Sequence, residues 1–168
     1  VQSDSLEEIA RLAATDAAKR SKGPVITEDA GLFIEALSGF PGPYSSYTCR
    51  TIGPEGIIRL MKGYRDRRAY FRSAVVYAEP DGRTATFVGK LNGRVTFEAA
   101  GVHGFGFDPI FIPDENHRTL AEMSIDEKNQ ISHRAKALQT FASWYFSRRR
   151  RDFKRKLNPK KRGEAIFP

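Results

Sequence analysis

Cysteine is nearly absent from this sequence of 168 residues, in which Cys49 is the only one. One cysteine excludes a disulfide framework within the chain and a zinc site built from several cysteines. It also favours a reducing compartment, for which we predict the cytoplasm. No apolar run approaches the ~20 residues that a membrane span needs, and the first residues show no signal-peptide pattern. We therefore predict a single domain with its own core and no membrane partner.

Most of the chain also lacks an excess of charge of either sign. The net charge is +8, but residues 148–168 alone hold ten Lys/Arg and two acidic residues, and the other 147 residues carry 18 of each sign. Charge therefore gives no support for nucleic-acid binding by residues 1–147. We predict one domain over residues 1–147 and a basic, disordered tail over 148–168. A solvated extension is the first interpretation of this tail, and binding of RNA or another polyanion is the alternative.

Helix and strand signals alternate along the chain. A capping box at Ser5–Glu8 opens a helix that Gly23-Pro24 ends. Further signals predict a short strand at Val25–Thr27, a helix from Gly53 to about Lys62, strands at 68–79, 84–88, 94–97 and 107–112, turns at 80–82 and 92–93, and one helix from Ser124 to Tyr145. This order predicts an α/β fold in which helices flank a central sheet.

Two carboxylates, Glu28 and Asp29, directly follow the short strand. A carboxylate at the carboxyl end of a strand lies where α/β folds place ligands. It could hold Mg²⁺ and orient or deprotonate a water molecule. The alternative is that either side chain caps a turn, since Asp-x-Gly is common in turns.

The segment Gly104–Phe111 combines aromatic residues with an acid. Phe105 and Phe107 alternate about Gly106, so that one ring can face the core and the other a pocket, although two core rings are the alternative. Asp108 stands in an apolar stretch and needs a partner or a ligand. A hydrogen bond from a neighbouring loop would also satisfy it.

The helix after Ser124 carries three nitrogen-bearing side chains in its first turns: Lys128, His133 and Arg134. Each has an ordinary alternative, namely a solvated lysine, a partly buried histidine and an arginine paired with an acid of the same helix. Together with Asp108 they provide donors and an acceptor, which is what recognition of a base edge requires.

Other motifs do not indicate a site. The two glycines of Gly104–Gly106 are no dinucleotide fingerprint. His103 and His117 lack metal-ligand spacing, so we predict loop positions for them. Cys49 has no base near it in the sequence, and we predict that it packs in the core.

Several segments, taken in order from near residue 1 to about Trp144, resemble the inosine triphosphate pyrophosphatase family. Linked motifs in order are more specific than any one of them. The segments are Gly23–Leu32, Gly39–Ser45, Phe87–Gly89 with Gly93-Arg94, Gly104–Phe111, Ala121–Met123, Glu127–Asn129 and Ser132–Arg134.

The resemblance implies an elongated α/β fold with a mixed sheet, two lobes around a central cleft, and a homodimer. It implies hydrolysis of dITP, ITP or XTP to the monophosphate and pyrophosphate with Mg²⁺. By position Asp29 is the catalytic base and a metal ligand, with Glu28 beside it as a second candidate ligand. The residues implied in substrate binding are Ala30, Phe105, Gly106, Phe107, Asp108, Lys128, His133 and Arg134, with Phe105 stacked on the purine.

This assignment gives selectivity a physical basis. Hypoxanthine and xanthine carry an oxygen acceptor at position 6, where adenine carries an amino donor. We expect His133 and Arg134, as cationic donors, to pair with the oxygen and to reject the amino group. Asp108 or the pocket shape is our candidate for excluding guanine.

The alignment also implies an N-terminally incomplete domain. The strand and the Ser/Thr-x-Asn-x-x-Lys phosphate loop with which members of the family begin have no counterpart here, and Ala30 stands where a hydroxyl residue is common. A truncated, non-catalytic nucleotide- or RNA-binding protein is therefore the alternative function. A Maf-like pyrophosphatase is a further one, but it would not predict Ser132–Arg134.

Overall fold

A four-stranded antiparallel sheet forms the centre of the molecule. The computed structural model describes residues 3–157 and the side chains of residues 3–151. The strands follow one another in the sheet as they do in the chain: β1 (Val25–Ile34), β2 (Arg68–Ala78), β3 (Thr84–Val95) and β4 (Phe111–Pro113). β1 and β2 are paired along their whole length, from Val25 opposite Ala78 to Ile34 opposite Ala69.

Helices cover both faces of this sheet, which confirms the predicted α/β class. The helices are α1 (Leu6–Ser21), α2 (Ser45–Thr51), α3 (Gly53–Leu60), α4 (Ile125–Ile131) and α5 (His133–Leu157). The alanine stripe of α1 packs on Ala74, Val76 and Ala78 of β2. Ala137 of α5 packs on Val75, whose side chain points to the opposite face. No described helix is long and apolar enough to cross a membrane.

The largest apolar cluster lies on the α5 face, towards the end of the sheet where β4 pairs. Its buried members include Leu32, Ile57, Phe71 and Phe111. Burial of each such side chain stabilises the fold by about 1.5–3 kcal/mol. Cys49 packs against this cluster, as predicted.

Strands β1 and β3 are longer than predicted. β1 continues through Glu28 and Asp29 to Ile34, so these carboxylates lie within a strand and not after its end. β3 continues through Asn92-Gly93, where a turn was predicted. A side chain at Gly93 would collide with the carbonyl of Ile112 and the ring of Phe111, so this glycine serves close strand approach rather than a turn.

Two predicted elements are divided. Asp108–Ile110 is a 3₁₀ turn with Pro109 in its first turn, and only Phe111–Pro113 is strand. The helix predicted from Ser124 is broken at Ser132, whose backbone is extended and whose hydroxyl accepts a hydrogen bond from the Ala135 N–H at 3.1 Å. Lys128 therefore lies on α4, whereas His133 and Arg134 begin α5.

The long helix α5 extends into the segment that we predicted to be a disordered tail. Residues 148–157 are helical, so the expected disorder is not found there. Arg148 Nη2 donates a hydrogen bond to Glu79 Oε1 at 2.6 Å. Residues 158–168 lie outside the described residues.

Candidate active site

A cavity of about 550 Å³ opens between β1 and α2 on one side and residues 105–108, α4 and the start of α5 on the other. Every residue predicted to bind substrate lines it: Ala30, Phe105, Gly106, Phe107, Asp108, Lys128, His133 and Arg134. Residues from four separate segments of the sequence thus meet at one place. Contact of these residues with a substrate stays a prediction.

Asp108 organises the wall that contains Phe105. Its carboxylate is 4% exposed and accepts the Phe105 N–H at 2.7 Å. It also accepts a hydrogen bond from the ammonium group of Lys128. A buried carboxylate is stable only when it is paired in this way. Asp108 therefore makes the loop hydrogen bond that was its predicted alternative, and in addition it holds Lys128 at the cavity.

Arg134 is held by an acid from the sheet. Its Nε donates to Oε1 of Glu28 at 3.0 Å, and the hydroxyl of Ser73 donates to the same oxygen at 2.7 Å. The predicted alternative partner, an acid of the same helix, is wrong, because Glu28 lies on β1. The Arg134 guanidinium lies 5.0 Å from the ring centre of Phe105, and Lys128 Nζ lies 4.5 Å from it. Phe105 is 62% exposed, so this ring is available to a ligand.

His133 is buried in the cavity wall and stacks on Phe71, with ring centres 4.8 Å apart and planes 8° from parallel. Burial, followed by the charges of Arg134 and Lys128, lowers the pKa of His133 to about 3. The imidazole is therefore neutral at physiological pH, and our expectation that it acts as a cation is wrong. Nδ1 is buried and has no hydrogen-bond partner among the described residues.

Asp29 is not part of the cavity lining. The hydroxyl of Thr27 donates to the carbonyl of Ala10 in α1, and strand alternation places Asp29 on that same face, opposite to Glu28. Asp29 Oδ1 accepts the Ala30 N–H at 2.9 Å. Burial, with a smaller contribution from Glu28, raises the pKa of the Asp29 carboxyl. Among the described residues no three His, Cys, Asp or Glu side chains form a metal-ligand group.

The sequence reasoning missed the side of the cavity that α2 contributes. Ser45, Ser46, Cys49 and Arg50 line it, although no helix was predicted there. The available signal was Ser45, which ends one of the family-like segments. Its hydroxyl accepts the Leu32 N–H at 2.8 Å and donates to the Gly42 carbonyl at 2.7 Å, fixing α2 against β1.

Gly31 makes that contact possible. A side chain at this position would collide with the carbonyl of Gly42 and with Ser45 Oγ. The glycine after Asp29 therefore serves the packing of α2 against β1 and not a turn. His103 and His117 lie in loops, as predicted, and neither lines the cavity.

The chain is similar to known proteins over the part that contains the cavity. The Ham1 family matches residues 1–144. A dITP/XTP pyrophosphatase of Methanopyrus kandleri is 56% identical over 145 residues, which are 86% of this chain and 77% of that protein. The dITP/XTP pyrophosphatase of Thermococcus kodakarensis is 49% identical over 144 residues, with coverage of 86% and 77%.

Solved structures show the same likeness. The Ham1 protein of Staphylococcus aureus has a TM-score of 0.81 and 33% identity, covering 86% of this chain and 78% of that one. A Ham1 protein of Coxiella burnetii has a TM-score of 0.82 and 30% identity, covering 87% and 79%.

Proposed function

The chain belongs to the Ham1 family, and we propose that it hydrolyses non-standard purine nucleoside triphosphates, such as dITP, ITP and XTP, to the monophosphate and pyrophosphate. The observation that carries this proposal is that every residue predicted to bind substrate lines one cavity. No described feature favours a non-catalytic nucleotide-binding protein. RNA binding by residues 148–168 stays a prediction.

The base is recognised at the wall formed by Phe105, His133 and Arg134. The exposed face of Phe105 offers a stacking surface, and the two nearby cations polarise its ring. Arg134 presents donors only, and Glu28 holds its guanidinium in place. His133 adds a neutral imidazole to this wall. A purine with an oxygen at position 6 can accept a hydrogen bond from Arg134, whereas a purine with an amino group at that position cannot.

Hydrolysis requires a water molecule to attack the α-phosphorus while the bond from that phosphorus to the bridging oxygen breaks. The proton of the water passes to a base, and pyrophosphate leaves with the bridging oxygen. Asp29 is the proposed base. It precedes the cavity-lining Ala30, its Oδ2 has no hydrogen-bond partner among the described residues, and its raised pKa increases its affinity for the proton.

We propose Mg²⁺ as the cofactor, with Asp29 as its protein ligand. Mg²⁺ commonly takes one or two carboxylates and completes its shell with water and substrate phosphates, so a single protein carboxylate is a chemically suitable ligand for it. When bound, the ion neutralises phosphate charge. Glu28 fits the role of second ligand less well. Its Oε1 already accepts hydrogen bonds from both Arg134 and Ser73, and its side chain lies on the face of β1 opposite to that of Asp29.

Two further expectations belong to this proposal. A homodimer follows from the resemblance, and analytical ultracentrifugation would measure it. The cytoplasm, where the nucleotide pool requires such an activity, remains the proposed location.

The proposed function is tested by measuring pyrophosphate release from dITP, XTP, dGTP and dATP in parallel, with and without Mg²⁺. We expect preference for dITP and XTP. Asp29→Asn should abolish turnover and leave the melting temperature within a few degrees of the original, because Asp29 makes only a local hydrogen bond. Asp114→Asn, a change of an exposed aspartate outside the cavity, is the matched control and should be fully active. Full activity of the Asp29 variant would remove the assigned role.

A further inference from the structure

We infer that Arg50 binds the phosphate end of the nucleotide; this inference rests on the proposed function. Three side chains with a fixed positive charge line the cavity: Arg50, Lys128 and Arg134. They differ in their partners among the described residues. That difference, rather than the number of charges, distinguishes Arg50.

Lys128 and Arg134 are each neutralised by a carboxylate of the protein. Lys128 pairs with the buried Asp108, and Arg134 pairs with Glu28 at 3.0 Å. Each pair contributes no net charge to the cavity. A triphosphate brings several negative charges, and these two cations alone would not compensate for them.

Arg50 has no such partner among the described side chains. Its Nη1 donates to the neutral hydroxyl of Ser46 at 2.7 Å, and it forms no ion pair with a described acid. One guanidinium charge in the cavity is therefore uncompensated, and its remaining N–H groups are free to bind an anion. Arginine offers a planar set of donors that matches phosphate oxygens.

Helix α2 brings this charge to the cavity from an element that carries none of the base-recognising residues. Ser45, the first residue of α2, is hydrogen-bonded to Leu32 of β1, and Gly31 contacts the same region closely. Arg50 lines the same cavity as Ala30, which follows Asp29 in β1. The base-recognising residues belong to other elements, namely residues 105–108, α4 and α5. A nucleotide with its base at His133 would extend its phosphates within this cavity towards Arg50.

The test compares ligands that share or lack phosphates. Arg50→Gln removes the charge and keeps hydrogen-bonding capacity, and Arg50→Lys restores the charge. Arg59→Gln, on the exposed surface of α3 and outside the cavity, is the control. Binding of inorganic pyrophosphate, dIMP and deoxyinosine would be measured by calorimetry, and kcat and KM would be measured for dITP.

We expect Arg50→Gln to weaken pyrophosphate binding and to raise KM for dITP by about tenfold or more, because a hydrogen bond between two charged groups is lost. Binding of deoxyinosine should be unchanged, the lysine variant should recover most of the loss, and the Arg59 variant should match the original protein. Equal loss of deoxyinosine and pyrophosphate binding, or no loss of either, would overturn the inference. The calorimetric measurements need no turnover, so a protein that releases no pyrophosphate would refute the proposed function and still test Arg50.

Discussion

The neutral state of His133 makes the stability of the protein depend on pH in a defined window. In the folded protein its pKa is lowered to about 3, whereas an unperturbed histidine has a pKa of 6.5. Between these two values the unfolded chain binds a proton that the folded chain does not. Stability contributed by the neutral imidazole is therefore complete above pH 6.5 and is lost progressively as the pH falls towards 3.

The expected size of the effect follows from the two pKa values. At pH 5 the unfolded imidazole is almost fully protonated, whereas the folded one is neutral. The free energy of unfolding should therefore be about 2 kcal/mol lower at pH 5 than at pH 7 from His133 alone, at ~1.4 kcal/mol for each unit below the unfolded pKa. The pKa of Asp29 is raised in the folded state, so its protonation increases the free energy of unfolding as the pH falls further. The pH dependence of the original protein alone therefore does not isolate the contribution of His133.

A pair of variants isolates it. Unfolding in urea at pH 7, 6 and 5 would be measured for the original protein, His133→Gln and His103→Gln, the last of which changes an exposed histidine outside the cavity. The pH-dependent loss should be about 2 kcal/mol smaller in His133→Gln than in the other two proteins. NMR titration of the original protein provides a measurement that does not depend on folding of the variant. The His133 ring signals should not shift between pH 7 and 5. An identical pH dependence for all three proteins, with a His133 ring that titrates near pH 6.5, would refute the reasoning.

Two further predictions concern the walls of the cavity. Arg134→Ala should raise the ratio of dATP to dITP turnover by about tenfold, because a charged donor in the base pocket is lost. Lys136→Ala, which changes an exposed residue of α5, is the control and should leave the ratio unchanged. An unchanged ratio in the Arg134 variant would show that this residue does not recognise the base. Gly89→Ala should lower the free energy of unfolding by about 1–3 kcal/mol and reduce turnover, because the new methyl group would collide with the His133 carbonyl and the Ala137 backbone nitrogen of α5. Urea unfolding would measure this change. Gly23→Ala is the control, since the added carbon meets only the Ser21 carbonyl at 3.9 Å, and its free energy of unfolding should stay within about 0.5 kcal/mol of the original.

Local signals predicted the helix starts better than the strand ends. The capping box at Ser124–Glu127 forms as predicted, with both reciprocal hydrogen bonds present. The prediction at Ser5 was only half correct, because Ser5 accepts the Glu8 N–H while the Glu8 carboxylate accepts from Ser3. Caps are local and readable from a few residues. The extent of β1 and β3 depends instead on partner strands that are distant in the sequence, and so the positions of Glu28 and Gly93 were misjudged.

The same distinction applies to the site. Residue types and the family resemblance predicted the residues of the base-binding wall, and all of these residues line the cavity. The pairings within that wall were not predictable, because Arg134 and Glu28 are 106 residues apart and only the packing of α5 on the sheet brings them together. Arg50 was missed for a related reason, since its role is indicated by the absence of a partner carboxylate. The sequence alone does not reveal which acids pair with which cations.

The protonation state of His133 changes the account of selectivity. A cationic imidazole would have been a donor at both nitrogens, and it would have rejected the adenine amino group together with Arg134. The neutral imidazole has one donor and one acceptor nitrogen, and a change of tautomer lets the same position accept from an amino group. His133 therefore binds a purine edge without choosing between oxygen and amino groups. Arg134 has donors only, and Glu28 restricts its orientation. The discrimination between hypoxanthine and adenine should accordingly depend on Arg134, and a His133→Gln variant should lose affinity for both bases with little change in their ratio.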